Sequence, residues 1–253
     1  MILSQKTDIM DLNTRERQAV MKNYQQNFHR REKKYLLSEH QYKNLMAVIE
    51  QKLEYDKYRK YRICNIYFDT PQFDLIRNSI SKPLYKEKIR LRSYGTQGAD
   101  STVHLEIKKK YDGVVYKRRF SLRLEDAMNY CIKGEKTKTD HQIFREIDWF
   151  FSRYELYPVL YISYDRVAMK GVEENDLRIT FDNNILWRTD ELDLLKGDFG
   201  SVKLDHDQYI MEIKTAGGMP IWLCQALSQL RIYPTSYSKY GRIYQDEMTK
   251  LND

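Results

Sequence analysis

The chain has 253 residues, a formal net charge of +7 and 31% charged residues of both signs. This length suits one large domain or two small ones, and so small a positive excess does not by itself indicate an anionic partner. No apolar run reaches the roughly 18 residues of a membrane span, and the N-terminus lacks the apolar core of a signal peptide. Cys64, Cys131 and Cys224 are widely spaced, which indicates reduced thiols in the cytoplasm rather than a disulfide scaffold or a zinc site.

Hydrophobic periodicity and turn signals predict an alternation of strands and helices. In the first half we expect a helix over 8–25, a strand over 28–37, a helix from the Ser38–Gln41 capping box to about 54, a strand over 60–68, a short helix over 72–80 and strands over 84–94, 102–110 and 115–123. In the second half we expect helices over 125–132 and 139–153, strands over 157–168, 177–187 and 203–214, a helix over 219–231 and a short C-terminal helix.

These elements predict one α+β domain over 28–253, preceded by a helical extension over 1–27. The sequence has no repeat and no linker that would divide it. About eight strands follow one another, mostly antiparallel, with the helices packed outside. Eight strands can close into a β-barrel that hides every sheet edge, so we expect a closed eight-stranded antiparallel barrel.

Several predicted strands carry ionic side chains on one face and apolar side chains on the other. The longest such row is Lys86, Lys88, Arg90 and Arg92. Similar rows contain His104, Glu106, Lys108 and Lys110, then Arg178, Thr180 and Asp182, and finally Glu212 and Lys214. A sheet curled around a charged interior would explain this pattern, and such an interior suits a long, highly phosphorylated ligand.

Three Glu-x-Lys pairs recur on three strands: Glu32 with Lys34, Glu106 with Lys108, and Glu212 with Lys214. Lysine and arginine donors bind phosphate oxygens, whereas carboxylates repel them. Carboxylates among the cations are explained if they hold a divalent metal that bridges phosphate oxygens. The alternative is that each pair is an ordinary surface ion pair of little energetic consequence.

An ordered set of segments carries a family resemblance. The segments are Arg31-Glu-Lys-Lys-Tyr35, Ile66-Tyr-Phe-Asp-Thr70, Lys88-Ile-Arg-Leu-Arg-Ser-Tyr-Gly95, Leu105-Glu-Ile-Lys108, Tyr164-Asp-Arg166, Leu177-Arg-Ile-Thr-Phe-Asp182, Met211-Glu-Ile-Lys214 and Ser238-Lys-Tyr240. Together they resemble the polyphosphate polymerase (VTC) domain of the vacuolar transporter chaperone complex, within the CYTH-like triphosphate tunnel metalloenzymes. The resemblance covers nearly the whole chain, from about residue 28 to residue 242.

The resemblance implies a closed tunnel that binds ATP and polyphosphate, and transfer of the γ-phosphate of ATP to a growing polyphosphate chain with Mn²⁺ or Mg²⁺. Its implied catalytic residues, which grip phosphates, are Lys34, Arg90, Arg92, Lys108, Arg166, Arg178 and Lys239. It implies Glu212 as the principal metal ligand. Strand alternation adds Glu106 and Glu32 as metal ligands, and Lys86, Lys88 and Lys214 as substrate-binding residues.

Two departures from the family pattern bear on function. Hydrolytic members of the superfamily typically open with Glu-x-Glu-x-Lys, whereas this chain has Arg30, Glu32 and Lys34. Loss of the first carboxylate should weaken activation of water and favour a phosphate nucleophile. The chain also lacks the regulatory and membrane domains of the fungal proteins, which leaves room for a separate membrane partner.

Two alternatives to a polymerase stay open at this point. One is a triphosphatase that hydrolyses inorganic triphosphate or nucleotides, and the other is a non-catalytic module that binds polyphosphate or nucleotides. Nucleic acid is not an expected partner, because no recognised motif is present and a closed tunnel would exclude a duplex.

Overall fold

The computed structural model of the protein describes residues 31–251, apart from 96, 97, 113, 138 and 205. The helix predicted over 8–25 and the extension over 1–27 lie outside the described residues. The strands are β1 (Arg31–Ser38), β2 (Leu53–Asp69), β3 (Tyr85–Tyr94), β4 (Thr102–Tyr111), β5 (Val114–Arg123), β6 (Tyr157–Gly171), β7 (Arg178–Arg188), β8 (Ser201–Leu204) and β9 (Gln208–Thr215). The helices are α1 (Glu39–Ile49), α2 (Asp74–Ile80), α3 (Leu124–Lys133), α4 (Gln142–Tyr154), α5 (Ile221–Gln229) and α6 (Lys239–Asp246).

The nine strands form one antiparallel sheet in the order β1-β9-β7-β6-β2-β3-β4-β5, with β8 paired to β7. The predicted closed eight-stranded barrel is therefore wrong: within the described residues β1 and β5 end the sheet, and no pairing joins them. Closure depends on strand tilt and stagger, which the alternation of side chains does not determine. The extra strand arises because the predicted strand over 203–214 is divided into the end of β8 and most of β9.

The open sheet is nevertheless strongly curled. Lys108 of β4 lies close enough to Lys34 of β1 and Glu212 of β9 for their charges to interact. Four strands separate β4 from β9 in the sheet order, so these side chains meet across a concave face rather than along it. We call this concave, ionic face the groove.

Apolar side chains cover the convex face of the sheet, as the alternation predicted. Helices α3 and α4 pack there on Ile89 and Leu105, and α1 and α5 pack on Ile179 and Met211. The capping box predicted at Ser38 and Gln41 is confirmed: the Ser38 hydroxyl accepts from the Gln41 amide, and the Gln41 side chain accepts from the Ser38 amide.

Helix α6 packs against the concave side, which differs from the expectation that all helices lie outside. Its residues Tyr240 and Ile243 share a buried cluster with Ile63 of β2 and Leu160 of β6. By strand alternation these two strand residues belong to the concave face. Helix α6 therefore covers part of the groove and brings Lys239, its first residue, to the ionic side chains. None of the helices in the described part of the chain is long and apolar enough to cross a membrane.

Candidate active site

Strands β3 and β4 supply the most basic wall of the groove. Their register pairs Lys86 with Lys110, Lys88 with Lys108, Arg90 with Glu106, and Arg92 with His104. Directly paired residues of an antiparallel ladder project to the same face, so all of these side chains share the concave side. The register agrees with the alternation that the sequence predicted for each strand.

Within the described part of the chain, Lys88 and Lys108 have no carboxylate within ion-pair distance. Among the described residues neither side chain forms a hydrogen bond or a direct ion pair, although Glu32 and Glu212 lie near enough to Lys108 for their charges to act on it. Burial and the like charges of Lys108, Arg90 and Lys34 lower the pKa of Lys88 to about 8. Burial also lowers the pKa of Lys108, with Lys34 acting in the same direction. Two half-buried cations without a direct ion-pair partner are suited to binding anionic oxygens.

Glu106 lies at the centre of a cluster of cations. Arg90 Nη2 is 2.8 Å from Glu106 Oε2, and the opposite oxygen, Oε1, is 2.6 Å from Arg119 Nη2 and 2.8 Å from Lys117 Nζ. Arg92 Nε is 3.9 Å from Glu106 Oε2. Burial alone would raise the pKa of Glu106, but Arg90, Arg92 and Lys117 hold it well below its usual range. Both carboxylate oxygens are thus already engaged by protein cations.

Arg92 is the most buried arginine of this wall, with 6% of its surface exposed. Its Nε donates to Asn65 Oδ1 at 2.9 Å, and its Nη2 donates to the Tyr164 hydroxyl at 3.2 Å. Neighbouring Arg90 donates through Nη1 to the Tyr67 hydroxyl at 3.2 Å. These neutral partners fix the two guanidinium groups, and Arg92 shares Glu106 with Arg90 at the longer distance of 3.9 Å.

Asp182 joins the two cations supplied by β6 and α6. Its Oδ1 is 2.6 Å from Arg166 Nε, and its Oδ2 is 2.5 Å from Lys239 Nζ. Burial would raise the pKa of Asp182, but Lys239 and Arg166 lower it strongly. Lys239 also lies 4.2 Å from the ring centroid of Tyr164. The sequence-predicted residues Arg166 and Lys239 therefore meet, although they are far apart in the chain.

Strands β1 and β9 bring two glutamates and two lysines together. The register places Lys34 opposite Glu212 and Glu32 opposite Lys214. Lys34 Nζ is 3.5 Å from Glu32 and 3.7 Å from Glu212, while Lys214 contacts Glu212 directly and lies 4.0 Å from Glu32. Burial would raise the pKa of Glu212, but Lys214 and Lys34 lower it to about 2.

Thr180 is the strand neighbour of Glu212 on β7. Its hydroxyl oxygen is the single buried side-chain polar atom without a hydrogen-bond partner among the described residues. Buried hydroxyl groups almost always have a partner, so this oxygen is available to a ligand beside Glu212.

The predicted metal ligands Glu32, Glu106 and Glu212 do not form a metal site together. In the described ranges no group of three or more His, Cys, Asp or Glu residues could hold a metal.

Two predicted residues lie at the margin of the groove. Lys86 donates from Nζ to the Ser79 carbonyl at 3.1 Å, and its pKa is lowered by burial and by Lys110. Arg178 is half-exposed and pairs with Asp56 at 2.5 Å. Both cations therefore have a direct polar partner of their own, unlike Lys88 and Lys108.

Sequence reasoning missed Lys117, Arg119, Asp182 and Tyr164 as members of the site. The signal for Lys117 and Arg119 was present, because alternation along β5 puts them on one face, opposite Lys108 and Glu106. For Asp182 alternation predicted the face, but not its contact with Lys239, which depends on the approach of α6 from the far end of the chain.

The chain matches the VTC domain over residues 29–246. No curated protein sequence gives a significant match. A candidate adenylate cyclase from Bacillus halodurans has the same fold, with a TM-score of 0.53 and 14% identity over 85% of this chain and 96% of that one. A candidate adenylyl cyclase from Hippeastrum with a dominant triphosphatase activity gives a TM-score of 0.50 and 15% identity, over 85% of this chain and 94% of that one. At such identities these structures establish only the fold. The match to the VTC domain extends over most of the chain, which therefore belongs to the VTC domain family.

Proposed function

We propose that the protein is a metal-dependent polyphosphate polymerase that transfers the γ-phosphate of ATP to polyphosphate and releases ADP. The observation that carries the proposal is the pair Lys88 and Lys108, two opposed cations without a direct ion-pair partner in a groove lined by further lysines and arginines. Membership of the VTC domain family supports the same substrate class. The groove would hold the phosphate chain along β3, with Arg90 and Arg92 following Lys88.

The residues of the groove suit transfer between two phosphates. A terminal oxygen of polyphosphate attacks the γ-phosphorus, a new P–O bond forms, and the bond from the γ-phosphorus to the bridging oxygen of ADP breaks. The attacking oxygen is already anionic, so no general base has to remove a proton. The protein has to align the two chains and stabilise the spread negative charge, which Lys88, Lys108 and Arg92 can do.

Glu212 and Glu32 are the carboxylates that would hold a divalent metal, which would replace Lys34 and Lys214 as their partner. Mg²⁺ and Mn²⁺ prefer oxygen ligands, and Mg²⁺ is commonly held by one or two carboxylates together with water and substrate phosphates. The unpartnered oxygen of Thr180 next to Glu212 supports this placement. Held there, a divalent metal would supply positive charge against the phosphates. Glu106 is better suited to holding Arg90 and Arg119 in position, because it is 2% exposed and has three cations within 2.8 Å of its oxygens, whereas Glu32 is 33% exposed.

A triphosphatase is the second candidate, because the same cations and carboxylates would serve attack by water. Arg30 in place of the first carboxylate counts against it, although residue 30 lies outside the described residues. Incubation with γ-labelled ATP and Mn²⁺, followed by gel separation, distinguishes the two. A ladder of long labelled polymer supports the polymerase, and label found only as free phosphate supports the triphosphatase.

The matched variants for this assay are Glu212→Gln and Glu54→Gln. Glu54 also pairs with a lysine, Lys170, at 2.9 Å, but both side chains are about half-exposed and on the surface. We expect Glu212→Gln to abolish polymer formation and Glu54→Gln to leave it unchanged. If Glu212→Gln makes as much polymer as the unmodified protein, the proposed metal site is wrong.

A further inference from the structure

One end of the groove carries aromatic rings rather than lysines. Tyr61 of β2, Tyr94 of β3 and His104 of β4 lie side by side, with ring centroids 5.8 Å apart between the tyrosines and 5.6 Å apart between Tyr94 and His104. Alternation along β2 and β3, together with the pairing of His104 to Arg92, puts all three on the concave face. Tyr58 extends the row beyond Tyr61 at 6.4 Å.

These rings are held in place yet accessible. The Tyr94 hydroxyl accepts from Arg119 Nη2 at 3.3 Å, and His104 Nδ1 lies 2.9 Å from the Ser121 hydroxyl. Tyr94 is 37% exposed and Tyr58 is 67% exposed. A groove that binds only phosphates has no use for exposed aromatic surface, whereas a nucleobase gains from stacking on it.

The spacing along β3 links the rings to the phosphate-binding residues. Tyr94 follows Arg92 by two residues and Arg90 by four, a separation of about 13 Å along a strand for the longer step. A nucleoside triphosphate that lies along Arg92, Arg90 and Lys88 can therefore place its terminal phosphate near Lys88 and its base near Tyr94 at the same time, in one orientation only. Inorganic triphosphate has no base and can make only the contact near Lys88.

We propose that Tyr94, with Tyr61 and His104, is the platform for the base of the nucleoside triphosphate, so that the nucleotide enters with its base at this end and its γ-phosphate towards Lys88 and Lys108. This inference rests on the proposed function, because it specifies how the phosphate donor lies in the same groove. It also implies that the acceptor polyphosphate approaches from the lysine end, at Lys86 and Lys110.

The test is calorimetric titration of the full chain with ATP and, separately, with inorganic triphosphate, each in Mg²⁺. In Tyr94→Ala we expect the Kd for ATP to rise about tenfold, as for loss of one stacked base, with the Kd for triphosphate unchanged. Unchanged triphosphate binding also establishes that the variant is folded. Tyr116→Ala is the matched control, since Tyr116 lies on the other face of β5 and is 55% exposed.

Tyr94→Phe separates stacking from hydrogen bonding, because it keeps the ring and loses the hydroxyl that contacts Arg119. We expect Tyr94→Phe to bind ATP as the unmodified protein does. An unchanged ATP affinity in Tyr94→Ala, an equal loss for ATP and triphosphate, or an equal loss in the Phe and Ala variants would overturn the proposal. Failure of the unmodified protein to bind triphosphate would instead overturn the proposed function itself, and the orientation with it.

Discussion

Lys88 of β3 stands directly opposite Lys108 of β4, and neither forms a direct ion pair in the part of the chain that the structure describes. Two like charges at directly paired positions of two strands repel, so this pair lowers the free energy of unfolding of the unliganded protein. The surrounding carboxylates are engaged elsewhere: Glu106 by Arg90 and Arg119, and Glu212 by Lys214. An anionic ligand would remove this repulsion.

The first prediction concerns the pH dependence of triphosphate binding. Lys88 has a pKa of about 8 and is cationic below that pH. Phosphate groups are already ionised there, since their second pKa is about 6. Affinity for triphosphate should therefore be highest near pH 7 and fall by up to tenfold per pH unit above pH 8. Calorimetric titration from pH 7 to pH 9.5 measures the effect.

Tyr67 adds to this fall, because its pKa is also about 8 and its phenolate would lie beside the bound phosphates. The double variant Lys88→Met/Tyr67→Phe should bind more weakly at pH 7 but with a much flatter pH profile. An unaltered profile in that variant would show that neither residue faces the ligand.

The second prediction concerns Glu106, whose side chain is 2% exposed. Glu106→Gln leaves buried cations unpaired, so we expect a loss of about 3 kcal/mol in the free energy of unfolding, measured by urea denaturation. Glu125→Gln, which alters an exposed pair with Arg123, should change it little. Saturating triphosphate should restore part of the loss, because it supplies the missing negative charge.

The depressed pKa of Glu106 gives a second test of its role. Its folded pKa lies below its unfolded pKa, so its contribution to stability is present above about pH 4.5 and is lost as pH falls further. Stability of Glu106→Gln should depend less on pH below 4.5 than that of the unmodified protein. A parallel pH dependence in both proteins would contradict the ion cluster.

The third prediction concerns the attachment of α6 through Asp182. Asp182→Asn removes the charge that holds Lys239 and Arg166, so we expect faster amide hydrogen exchange in α6 and a stability loss of about 3 kcal/mol. Asp190→Asn, at an exposed position, is the matched control. Unchanged exchange in α6 would mean that its apolar contacts alone hold it in the groove.

The fourth prediction concerns metal binding at Glu212. Mn²⁺ binding, followed by electron paramagnetic resonance, should weaken at least tenfold in Glu212→Gln and remain unchanged in Glu54→Gln. Thr180→Val should give a smaller loss, since it removes one neutral oxygen. Equal Mn²⁺ affinity in all of these variants would place the metal elsewhere.

The sequence was sufficient to place most of the site on one face. Alternation alone predicted that Lys88, Arg90 and Arg92 project together, and the ladder with β4 agrees. The Glu-x-Lys spacing likewise put Glu212 and Lys214 on the side that Lys34 reaches from β1. Such predictions succeed because the two-residue period of a strand is local and does not depend on the rest of the fold.

Relationships between distant segments were not predictable in this way. The sheet ends at β1 and β5 within the described residues instead of closing, because closure depends on twist and stagger summed over all strands. The position of α6 inside the groove depends on Tyr240 and Ile243 meeting Ile63 and Leu160, which no local pattern encodes.

The most direct test of the account is the change in melting temperature that inorganic triphosphate causes in the unmodified protein and in Lys88→Gln/Lys108→Gln. At one hundred times its Kd, a ligand adds about 2.7 kcal/mol, which for this size raises the melting temperature by roughly 5–10 °C. Lys43→Gln/Lys170→Gln, which alters two exposed lysines, is the control. We predict that the groove variant loses most of this shift and the control keeps it. A full shift in the groove variant would show that triphosphate does not bind at Lys88 and Lys108.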